Sequence, residues 1–450
     1  MSKIQVVWFR DLTRWDTNSN FQTNIKSIHK EIAFGDFLQI PEVEWEILQP
    51  EKEYKILGVR SYGLGVYQNR ITQGKNLITK TTKKYQKIKP ENLFWCKVDT
   101  KNGAFGVTSN EHSNFYASHN MIQAKIDTSI INPLFLQYLF ACKFFQKFLD
   151  SKVTGTTNRQ YISFNELKSI KIPLPPLEIQ NKIVADIHAI QAKIKALQVE
   201  EKRLKDEIEA YIYIALGLQK PQIAKKQKVF VVRFKDLERW DTTHNQGKVK
   251  SNKKFQFETL ANLATYLQRG KTPIYSNIEK YPVIAQKCVQ WNGLELNKAL
   301  FIEPNSLNAY TQDRLLQDDD ILLNSTGLGT LGRVAIYQKS LNPYSLAVAD
   351  GHITVIRLDK NKILSKFFYF YFASSNIQNT IEEYATGSTK QKELSLALVK
   401  QIKIPLPPLE IQKEIVAFVE SKTAHISNLA QERSTLQNSI EFKLQKMLVD

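Results

Sequence analysis

Three glycines are spaced as in the loops that cradle a dinucleotide or S-adenosylmethionine. They form the pattern Gly-x-Gly-x-x-Gly over residues 327–332. Such a loop needs a strand before it and a helix after it, so that the helix N-terminus faces the phosphates. The following residues, Arg333 to Tyr337, alternate and include β-branched types, which predicts a second strand instead. We therefore interpret the glycines as a tight turn between strands.

Other candidates for catalysis or metal binding carry less information. Asp318, Asp319 and Asp320 are adjacent, so their carboxylates point in different directions and indicate a solvated turn rather than a metal site. The seven histidines form no His-Glu-x-x-His pattern, and the chain has neither a Walker lysine loop nor a nucleophile elbow. The segment at Asn342 lacks one proline of the Asn-Pro-Pro-aromatic clamp of amino-methyltransferases. These patterns predict a chain with no catalytic residues, metal or cofactor of its own.

Binding chemistry is better represented. The 450 residues include 62 Lys and Arg against 44 Asp and Glu, a net charge of +18. That excess favours a polyanionic partner, nucleic acid before an acidic membrane surface. Residues 51–90 alone hold ten Lys or Arg, interleaved with Tyr, Asn and Gln. Cations hold phosphates whatever the sequence, whereas Arg, Asn and Gln can pair with base edges. For Lys83, Lys84, Lys87 and Lys89 a solvated lysine-rich surface is the alternative.

Two sets of residues are candidates for contact with DNA. The first half of the chain offers polar and basic residues near glycines and tyrosines, and two more from a polar loop: Arg60, Tyr62, Gln68, Asn69, Arg70, Lys75, Asn158 and Arg159. The second half offers residues of polar loops and of the glycine turn: Arg269, Lys271, Gln286, Lys287, Asn292, Ser325, Thr326, Arg333 and Lys390. The charge signal is smaller there, because acidic residues nearly balance the basic ones.

The elements that must position these residues come in two copies. Residues 170–180, IKIPLPPLEIQ, return unchanged as residues 402–412, and residues 6–17 return as residues 231–242 with nine of twelve identical. The chain is therefore one unit written twice, and each copy fills half of it. Between the matched ends the copies differ almost everywhere. Identical frameworks with different contents predict a two-armed adaptor that recognises two unlike targets.

A heptad pattern follows each Pro-rich segment. Apolar or small residues recur from Ile183 to Ala215 in steps of three and four, except that Glu201 occupies one position where the heptad would place an apolar residue. The same register returns in the second copy, from Ile415 to Met447. Because a double proline suits a first helical turn, we expect long helices over about 177–219 and 409–450.

The two predicted helices have narrow apolar seams, which are typical of helices packed on each other rather than on a broad domain face. The second seam has polar interruptions at Lys422, Arg433 and Lys443. Glu201 and Arg433 occupy the same register position near the helix midpoints. In an antiparallel pair we expect them to lie close together and to fix the register. Side chains that simply reach solvent are the alternative.

The intervening residues, roughly 18–169 and 243–401, predict mixed strands, turns and short helices. Strands are expected over residues 320–324 and 333–337, and buried helices over 135–148 and 366–371. The three cysteines are far apart and form no Cys-x-x-Cys pair, which indicates a reducing compartment. No N-terminal apolar stretch of signal-peptide length is present, so we expect a cytoplasmic protein.

The repeated Pro-rich segment carries a resemblance to a known family. Leu174 to Gln180 and Leu406 to Gln412 resemble the Pro-Leu-Pro-Pro-Leu-x-x-Gln segment that opens each spacer helix of type I restriction–modification specificity subunits. Residues 319–333 are similar in sequence to the strand and glycine turn of the recognition domains in that family. Residues 349–353 resemble the strand that follows this turn. Asn102 to Thr108 is a fainter counterpart. The resemblance covers the whole chain.

The resemblance implies an α+β fold in which two mixed α/β target-recognition domains, related by a pseudo-two-fold axis, are joined by two long helices forming an antiparallel coiled coil. We expect target-recognition domains at residues 1–173 and 229–405, and spacer helices at 174–228 and 406–450. The resemblance further implies binding to an asymmetric bipartite site in double-stranded DNA.

The implied partners are two modification subunits, which bind S-adenosylmethionine and methylate adenine N6, and ATP-dependent restriction subunits that use Mg²⁺. The chain itself is expected to be non-catalytic. Two alternatives stay open at this point. One is an enzyme with fused methyltransferase or nuclease activity, and the other is a coiled-coil scaffold without sequence-specific DNA binding.

Overall fold

The computed structural model describes residues 28–40, 42–97, 103–150, 164–218, 254–327, 329–381, 385 and 392–449. The chain forms two compact units. One comprises Met1–Gln198 and Ala430–Asp450, and the other comprises Val199–Leu429. Each long helix contributes one part to each unit. The repeated segments 6–17 and 231–242 lie outside the described residues, and the four predicted domain boundaries stay a prediction.

Among its described residues, the first unit contains two main sheets and a two-stranded ribbon. Its strands are β1 (Glu31–Ala33), β2 (Leu38–Gln39), β3 (Trp45–Ile47), β4 (Glu53–Val59), β5 (Val66–Gln73), β6 (Lys84–Lys87), β7 (Asn92–Cys96), β8 (Phe105–Val107), β9 (Phe115–Ala117), β10 (Met121–Ile126) and β11 (Lys171–Pro173). One sheet has the order β3-β6-β9-β4-β5, the other has the order β2-β10-β7-β8, and β1 pairs with β11.

The second unit repeats part of this plan. Its strands are β12 (Phe257–Thr259), β13 (Ala264–Arg269), β14 (Tyr275–Ser276), β15 (Pro282–Ile284), β16 (Val289–Gln290), β17 (Gly293–Leu294), β18 (Leu300–Ile302), β19 (Ile321–Asn324), β20 (Val334–Ile336), β21 (Val348–Ala349), β22 (Ile353–Leu358) and β23 (Lys403–Pro405). The sheets have the orders β13-β22-β19-β20 and β14-β18-β15-β21, with β12 pairing β23 and β16 pairing β17.

The four-stranded sheets β2-β10-β7-β8 and β13-β22-β19-β20 correspond strand for strand. In each, the last two strands form an antiparallel pair: Leu93 lies opposite Val107, and Leu323 lies opposite Val334. The prediction of two strands around the glycine turn is therefore confirmed, because a strand and not a helix follows it. In the first unit, the described part of the faint sequence counterpart, residues 103–108, contains β8, the second strand of the equivalent pair.

The helices agree with the heptad prediction and differ in one detail elsewhere. They are α1 (Pro133–Ala141), α2 (Lys143–Asp150), α3 (Phe164–Ser169), α4 (Leu177–Leu216), α5 (Leu260–Leu263), α6 (Ser365–Ala373), α7 (Ser375–Gln378), α8 (Leu396–Gln401) and α9 (Leu409–Val449). The predicted helix over 135–148 is in fact two helices, because Cys142 has extended backbone angles between them.

Within the first unit, the start of α4 packs against the end of α9. Val184 and Ile187 share one apolar core with Leu444 and Met447. The Lys443 ammonium donates a hydrogen bond to the Asp186 carboxylate at 2.7 Å. One polar interruption of the predicted seam is thus matched by an acid on the facing helix.

Within the second unit, the end of α4 packs against the start of α9. The rings of Tyr211 and Phe418 stack with centroids 3.9 Å apart. Lys422, a second polar interruption of the predicted α9 seam, forms an ion pair with Glu207 at 2.7 Å. Glu207 pairs with Lys422, and Tyr211 pairs with Phe418. The residue numbers of the paired residues therefore rise along α4 while they fall along α9. The helix segments in this unit therefore run antiparallel, as predicted.

The glutamine of each Pro-rich repeat is fully buried. In the first unit, Gln180 donates to the carbonyls of Pro175 at 2.8 Å and of Ile130 at 3.1 Å, and it accepts from the Asn132 amide at 2.8 Å. These bonds fasten the first turn of α4 to the loop before α1. The side chain has no exposed area.

Gln412 makes the same three contacts in the second unit. It donates to the carbonyls of Pro407 at 2.8 Å and of Lys362 at 3.0 Å, and it accepts from the Leu364 amide at 2.9 Å. Lys362 and Leu364 are the counterparts of Ile130 and Asn132 when the two copies are aligned on their Pro-rich segments. The identity of the two segments is therefore explained by one helix-to-domain attachment made twice.

The interpretation of the three aspartates as a solvated turn is wrong for Asp320. Asp320 has no exposed area, and its two carboxylate oxygens each accept a hydrogen bond from Arg357 at 2.8 Å. Burial raises the pKa of Asp320, and the Arg357 guanidinium opposes that shift. The partner is 37 residues away on β22, so no local pattern could indicate it.

Candidate nucleic-acid interface

The residues Gln68, Asn69 and Arg70 lie on β5, the edge strand of the five-stranded sheet, and all three are exposed. A β-bulge interrupts the pairing of β5 with β4. Ile56 lies opposite Arg70 and Leu57 opposite Gln68, so Asn69 is the extra residue. Bulges bend a strand and redirect its side chains. The bulge therefore lets neighbouring polar side chains face the same side.

An open cleft of about 250 Å³ lies beside this bulge. Tyr67, Asn69 and Arg70 line it, together with Cys96 and Met121 from the neighbouring four-stranded sheet. The cleft therefore brings two of the sequence-predicted residues together with an aromatic ring. Amide and guanidinium groups beside an aromatic ring are suited to contact with a nucleobase edge and face.

The turn between β4 and β5 is held rigidly. Tyr62 has a φ of 61° and is 60% exposed. Next to it, the Gly63 amide donates to the Gly103 carbonyl at 2.6 Å. A Cβ atom on Gly63 would lie 2.3 Å from the backbone of Phe140, so only glycine fits. The Tyr62 ring is therefore presented to solvent from a turn that is anchored against the core.

Arg60 is positioned by a stack across the same two strands. Gly58 lies opposite Tyr67, and a Cβ on Gly58 would be 2.8 Å from the Tyr67 ring. The Arg60 guanidinium lies 5.4 Å from the centroid of that ring. The missing side chain at Gly58 thus lets Tyr67 lie flat on the strand and support Arg60.

The lysines of this region fall into two groups. Lys52 and Lys87 form ion pairs within the protein. The Lys52 ammonium lies 2.6 Å from the Glu46 carboxylate, and Lys87 pairs with Glu44. Burial alone would raise the pKa of Glu46, but the hydrogen bonds from Lys52 and Tyr116 hold it below its usual value. Lys75, Lys83 and Lys84 are exposed: Lys75 lies 3.9 Å from Glu51, and Lys84 lies 5.0 Å from the Trp45 ring centroid. The exposed lysines are suited to phosphate contact.

In the second unit, a β-hairpin and the glycine turn come together around Arg333. Its Nη1 donates to Gln290 Oε1 at 2.9 Å, and its Nη2 donates to the Gly329 carbonyl at 2.9 Å. Trp291, at the tip of the β16–β17 hairpin, lies 5.8 Å from the guanidinium and is 54% exposed. Asn292, beside it, is also exposed. The hairpin tip therefore presents an aromatic ring and an amide side chain to solvent beside Arg333.

Trp291 is missing from the sequence prediction. A search for base-pairing side chains selects Arg, Asn and Gln and passes over an indole ring. The nearest signal is the Asn292-Gly293 pair, which is typical of a tight hairpin turn; in the structure Gln290 pairs with Gly293, so the turn residues are Trp291 and Asn292. A residue at such a tip is exposed whatever its type.

Three other predicted residues support the glycine turn from inside. Ser325 is fully buried, and its hydroxyl lies 2.6 Å from that of Thr354. Gln286 donates to the Thr326 carbonyl at 2.7 Å, and the Thr326 hydroxyl lies 2.9 Å from His352 Nδ1. In this arrangement Ser325, Thr326 and Gln286 hold the turn that carries Arg333.

Arg269 and Lys271 are also engaged within the unit. The Arg269 guanidinium donates to the Leu394 carbonyl at 2.7 Å and to Glu393 at 2.8 Å. Lys271 is exposed, and its ammonium donates to the Ala309 carbonyl at 3.2 Å. Lys287 is exposed on the short turn before β16. The remaining candidates lie outside the described residues: Asn158, Arg159 and Lys390.

Glu201 and Arg433 belong to different units. Glu201 forms an ion pair with Lys205 on its own helix at 2.7 Å. The proposed pairing of Glu201 with Arg433 stays a prediction.

No cluster of metal-ligating side chains occurs among the described residues. Cys142 and Cys288 are buried and Cys96 is half-buried, all three as free thiols, and burial raises the pKa of Cys142 to about 11. No described helix is long and apolar enough to cross a membrane.

Comparison with known proteins places this architecture. Residues 48–210 and 252–438 match the model of the type I restriction modification DNA specificity domain, once in each half of the chain. A Methanocaldococcus jannaschii protein named as the MjaX type I restriction enzyme specificity subunit is 27% identical over 312 residues, 66% of this chain and 62% of that protein. The EcoKI specificity subunit of Escherichia coli K12 is 26% identical over 362 residues, 79% of this chain and 72% of that protein.

A solved structure supports the fold. A chain from a study of complex assembly and conformational transition in a type I restriction–modification system covers 93% of this chain and 96% of its own length, with a TM-score of 0.58. The sequence identity is 13%, so the likeness concerns the fold alone.

Proposed function

The chain belongs to the family of type I restriction–modification DNA specificity proteins, and on that premise we propose that it recognises an asymmetric bipartite site in double-stranded DNA. One observation carries the proposal: two units share a sheet order and a buried-glutamine attachment, yet present unlike exposed side chains. A shared framework with different contents is what two unlike half-sites require. The net charge of +18 suits a phosphate backbone.

The chemistry of the assembly is assigned to partner subunits. Two modification subunits would bind S-adenosylmethionine and methylate adenine N6, and restriction subunits would supply ATP-dependent cleavage with Mg²⁺. The matched region spans about three fifths to three quarters of the curated relatives, so these partners are part of the proposal. This chain would contribute the recognition of the DNA sequence and no catalytic group. It would act in the cytoplasm, where the DNA lies.

Within the first unit, base contacts are assigned to Asn69 and Arg70 at the bulge, and phosphate contacts to Lys83 and Lys84. Asn and Arg form paired hydrogen bonds with adenine and guanine edges. Lysines on the same sheet give attraction that is independent of sequence. In the second unit the corresponding assignment is Arg333 with Trp291 and Asn292 at the hairpin tip.

The test is methylation-site sequencing of DNA from cells that carry this chain with its modification partner. The wild-type chain should give one bipartite methylated site. Asn69→Ala or Arg70→Ala should weaken specific binding by about 1–3 kcal/mol and relax one half-site only. The matched controls Lys83→Ala and Lys84→Ala should lower binding to all sequences alike and flatten its salt dependence. Unchanged specificity and rate in both β5 variants would show that another surface contacts the bases.

Two further measurements separate the alternatives. The purified chain alone should neither methylate nor cut DNA, nor bind S-adenosylmethionine. Activity that persists without any partner subunit would indicate a fused enzyme. Binding to a mixed DNA pool should weaken steeply with salt. Binding that is independent of salt would indicate a protein scaffold whose charge is incidental.

A further inference from the structure

In the first unit, a glutamate near the end of α9 caps a short helix. Glu441 accepts hydrogen bonds through one carboxylate oxygen from the amides of Lys143 at 2.8 Å and Phe144 at 3.3 Å. These are the first two residues of α2. The Cys142 thiol lies 3.4 Å from the same oxygen. The first turn of α2 is thus fastened to α9 by one carboxylate.

In the second unit, a glutamate near the end of α4 does the same. Glu209 accepts a hydrogen bond from the Ser375 amide, the first of α7, at 3.0 Å, and another from the Ser375 hydroxyl. The Tyr213 hydroxyl lies 3.2 Å from that of Ser375 and completes the contact. The short helix α7 is therefore fastened to α4.

The two caps are equivalent in the repeat. The alignment that superimposes the two Pro-rich segments also places Glu441 on Glu209 and Ser375 on Lys143. Across residues 205–216 and their counterparts 437–448, this glutamate is the only polar residue shared by both copies. Each carboxylate belongs to the copy other than the one that provides the short helix. The exchange is therefore reciprocal.

The carboxylates add direction to an otherwise non-directional contact. Around Glu441 the helix end packs through Ile440, Leu444 and Met447, and around Glu209 through Ile208 and Ile212. Apolar burial stabilises such a contact but tolerates sliding and rotation, because it depends on area. A charged acceptor on backbone amides demands one geometry.

We propose that Glu209 and Glu441 are positioning residues that fix each recognition unit on the far end of the other copy's long helix, and so determine how strictly the gap between the half-sites is measured. The effect on the gap rests on the proposed function, whereas the fixing of α2 and α7 does not. A unit without its cap should keep its base contacts but rock on the helix end. Neighbouring gap lengths would then be accepted.

The first test measures the caps directly, by hydrogen exchange of the complete chain. Glu441→Ala should speed exchange in α2 roughly tenfold and leave α7 unchanged, and Glu209→Ala should do the reverse. Glu→Gln at either site keeps an acceptor oxygen and should restore most of the protection. The control is Glu432→Ala, an exposed glutamate on α9 that is also shared by both copies. Equal exchange in the Ala variants and the control would overturn the proposal.

The second test uses the chain with its modification subunits on DNA libraries that vary the gap. In the wild type, methylation should be confined to one gap length. In Glu441→Ala or Glu209→Ala, the preference for that gap over one base pair more or less should fall roughly tenfold, while the half-site sequences stay the same. Altered half-sites with an unchanged gap preference would overturn the positioning role.

The two tests fail separately. If the wild-type chain directs no site-specific methylation, the proposed function is lost, and hydrogen exchange still decides whether the caps hold α2 and α7. If an alanine variant does not fold, Glu→Asp at the same site keeps the charge but shortens the side chain by one methylene. The aspartate variant should show the same faster exchange and wider gap tolerance, and native behaviour there would count against the caps.

Discussion

Gln180 and Gln412 are buried amides whose hydrogen bonds are all made to the backbone. Each joins its proline-rich turn to a loop 48 to 50 residues earlier in the chain, with distances of 2.8–3.1 Å. A buried amide is tolerated only when its groups are paired. In each unit, the pairing makes the first turn of the long helix inseparable from the domain before it.

Replacing Gln180 by Ala should destabilise the first unit by about 2–4 kcal/mol, because two carbonyls and one amide lose their buried partner. Gln412→Ala should do the same to the second unit. Gln437→Ala, at an exposed position of α9, is the control and should be close to neutral. Chemical unfolding followed by hydrogen exchange in each unit is the measurement. A loss spread equally over both units would contradict a local attachment.

At the scale of single residues, the sequence identifies candidate functional residues better than it predicts what surrounds them. Asn69 and Arg70 follow from composition, but the bulge that turns them depends on pairing with β4, which local patterns do not determine. Asp320 is buried because Arg357 reaches it from a strand 37 residues later. Ser325 was predicted as a DNA contact from its polarity, and the structure surrounds it with protein. Distant partners decide each of these cases.

The long helices are the elements that the sequence predicts best. Each seam position from Ile183 to Ala215 is buried or half-buried, and the ends differ from prediction by a few residues. A heptad pattern is local and repeats many times, so single errors do not disturb it. The short strands lack such redundancy. Their order in the sheets could not be derived from the sequence, and the two units share that order in one four-stranded sheet each.

Two of the three polar interruptions of the α9 seam, Lys422 and Lys443, give the helix contacts a pH dependence. Hydrogen bonding and charge from Lys443 lower the pKa of Asp186, and those from Lys422 lower the pKa of Glu207. Because these pKa values are lower in the folded state, the pairs stabilise the protein above the ordinary values of 3.8 and 4.5. The contribution is lost as the pH falls through the lower, folded values.

We therefore expect the double variant Asp186→Asn, Glu207→Gln to lose less thermal stability than the wild type between pH 6 and the acid range. At neutral pH the double variant should be slightly less stable, since partly exposed ion pairs contribute little. Thermal unfolding across the pH series is the measurement. Glu432→Gln removes an exposed carboxylate of α9 and serves as the control. If the melting temperatures of the wild type and the double variant fell in parallel with pH, the two ion pairs would be excluded as the cause of the acid sensitivity.

For the whole molecule, each unit is built from both copies of the sequence. The first unit takes residues from the start of α4 and the end of α9, and the second takes residues from the end of α4 and the start of α9. A change of length in one helix alone therefore disturbs a core. Matched changes in both helices keep the facing helix segments level with each other in each unit.

This construction gives a sharp test of whether the helices measure the gap between half-sites. Asp186 lies opposite Lys443, so Lys195 is level with Ser434 in the same unit. Seven residues inserted after both positions keep the heptad phase and add about 10 Å to each helix, which is roughly three base-pair steps. Methylation-site sequencing should show a longer gap between unchanged half-sites. The same insertion in α4 alone should abolish methylation, because the helices can no longer pair in both units. An original gap in the doubly lengthened chain would show that the spacing is set elsewhere.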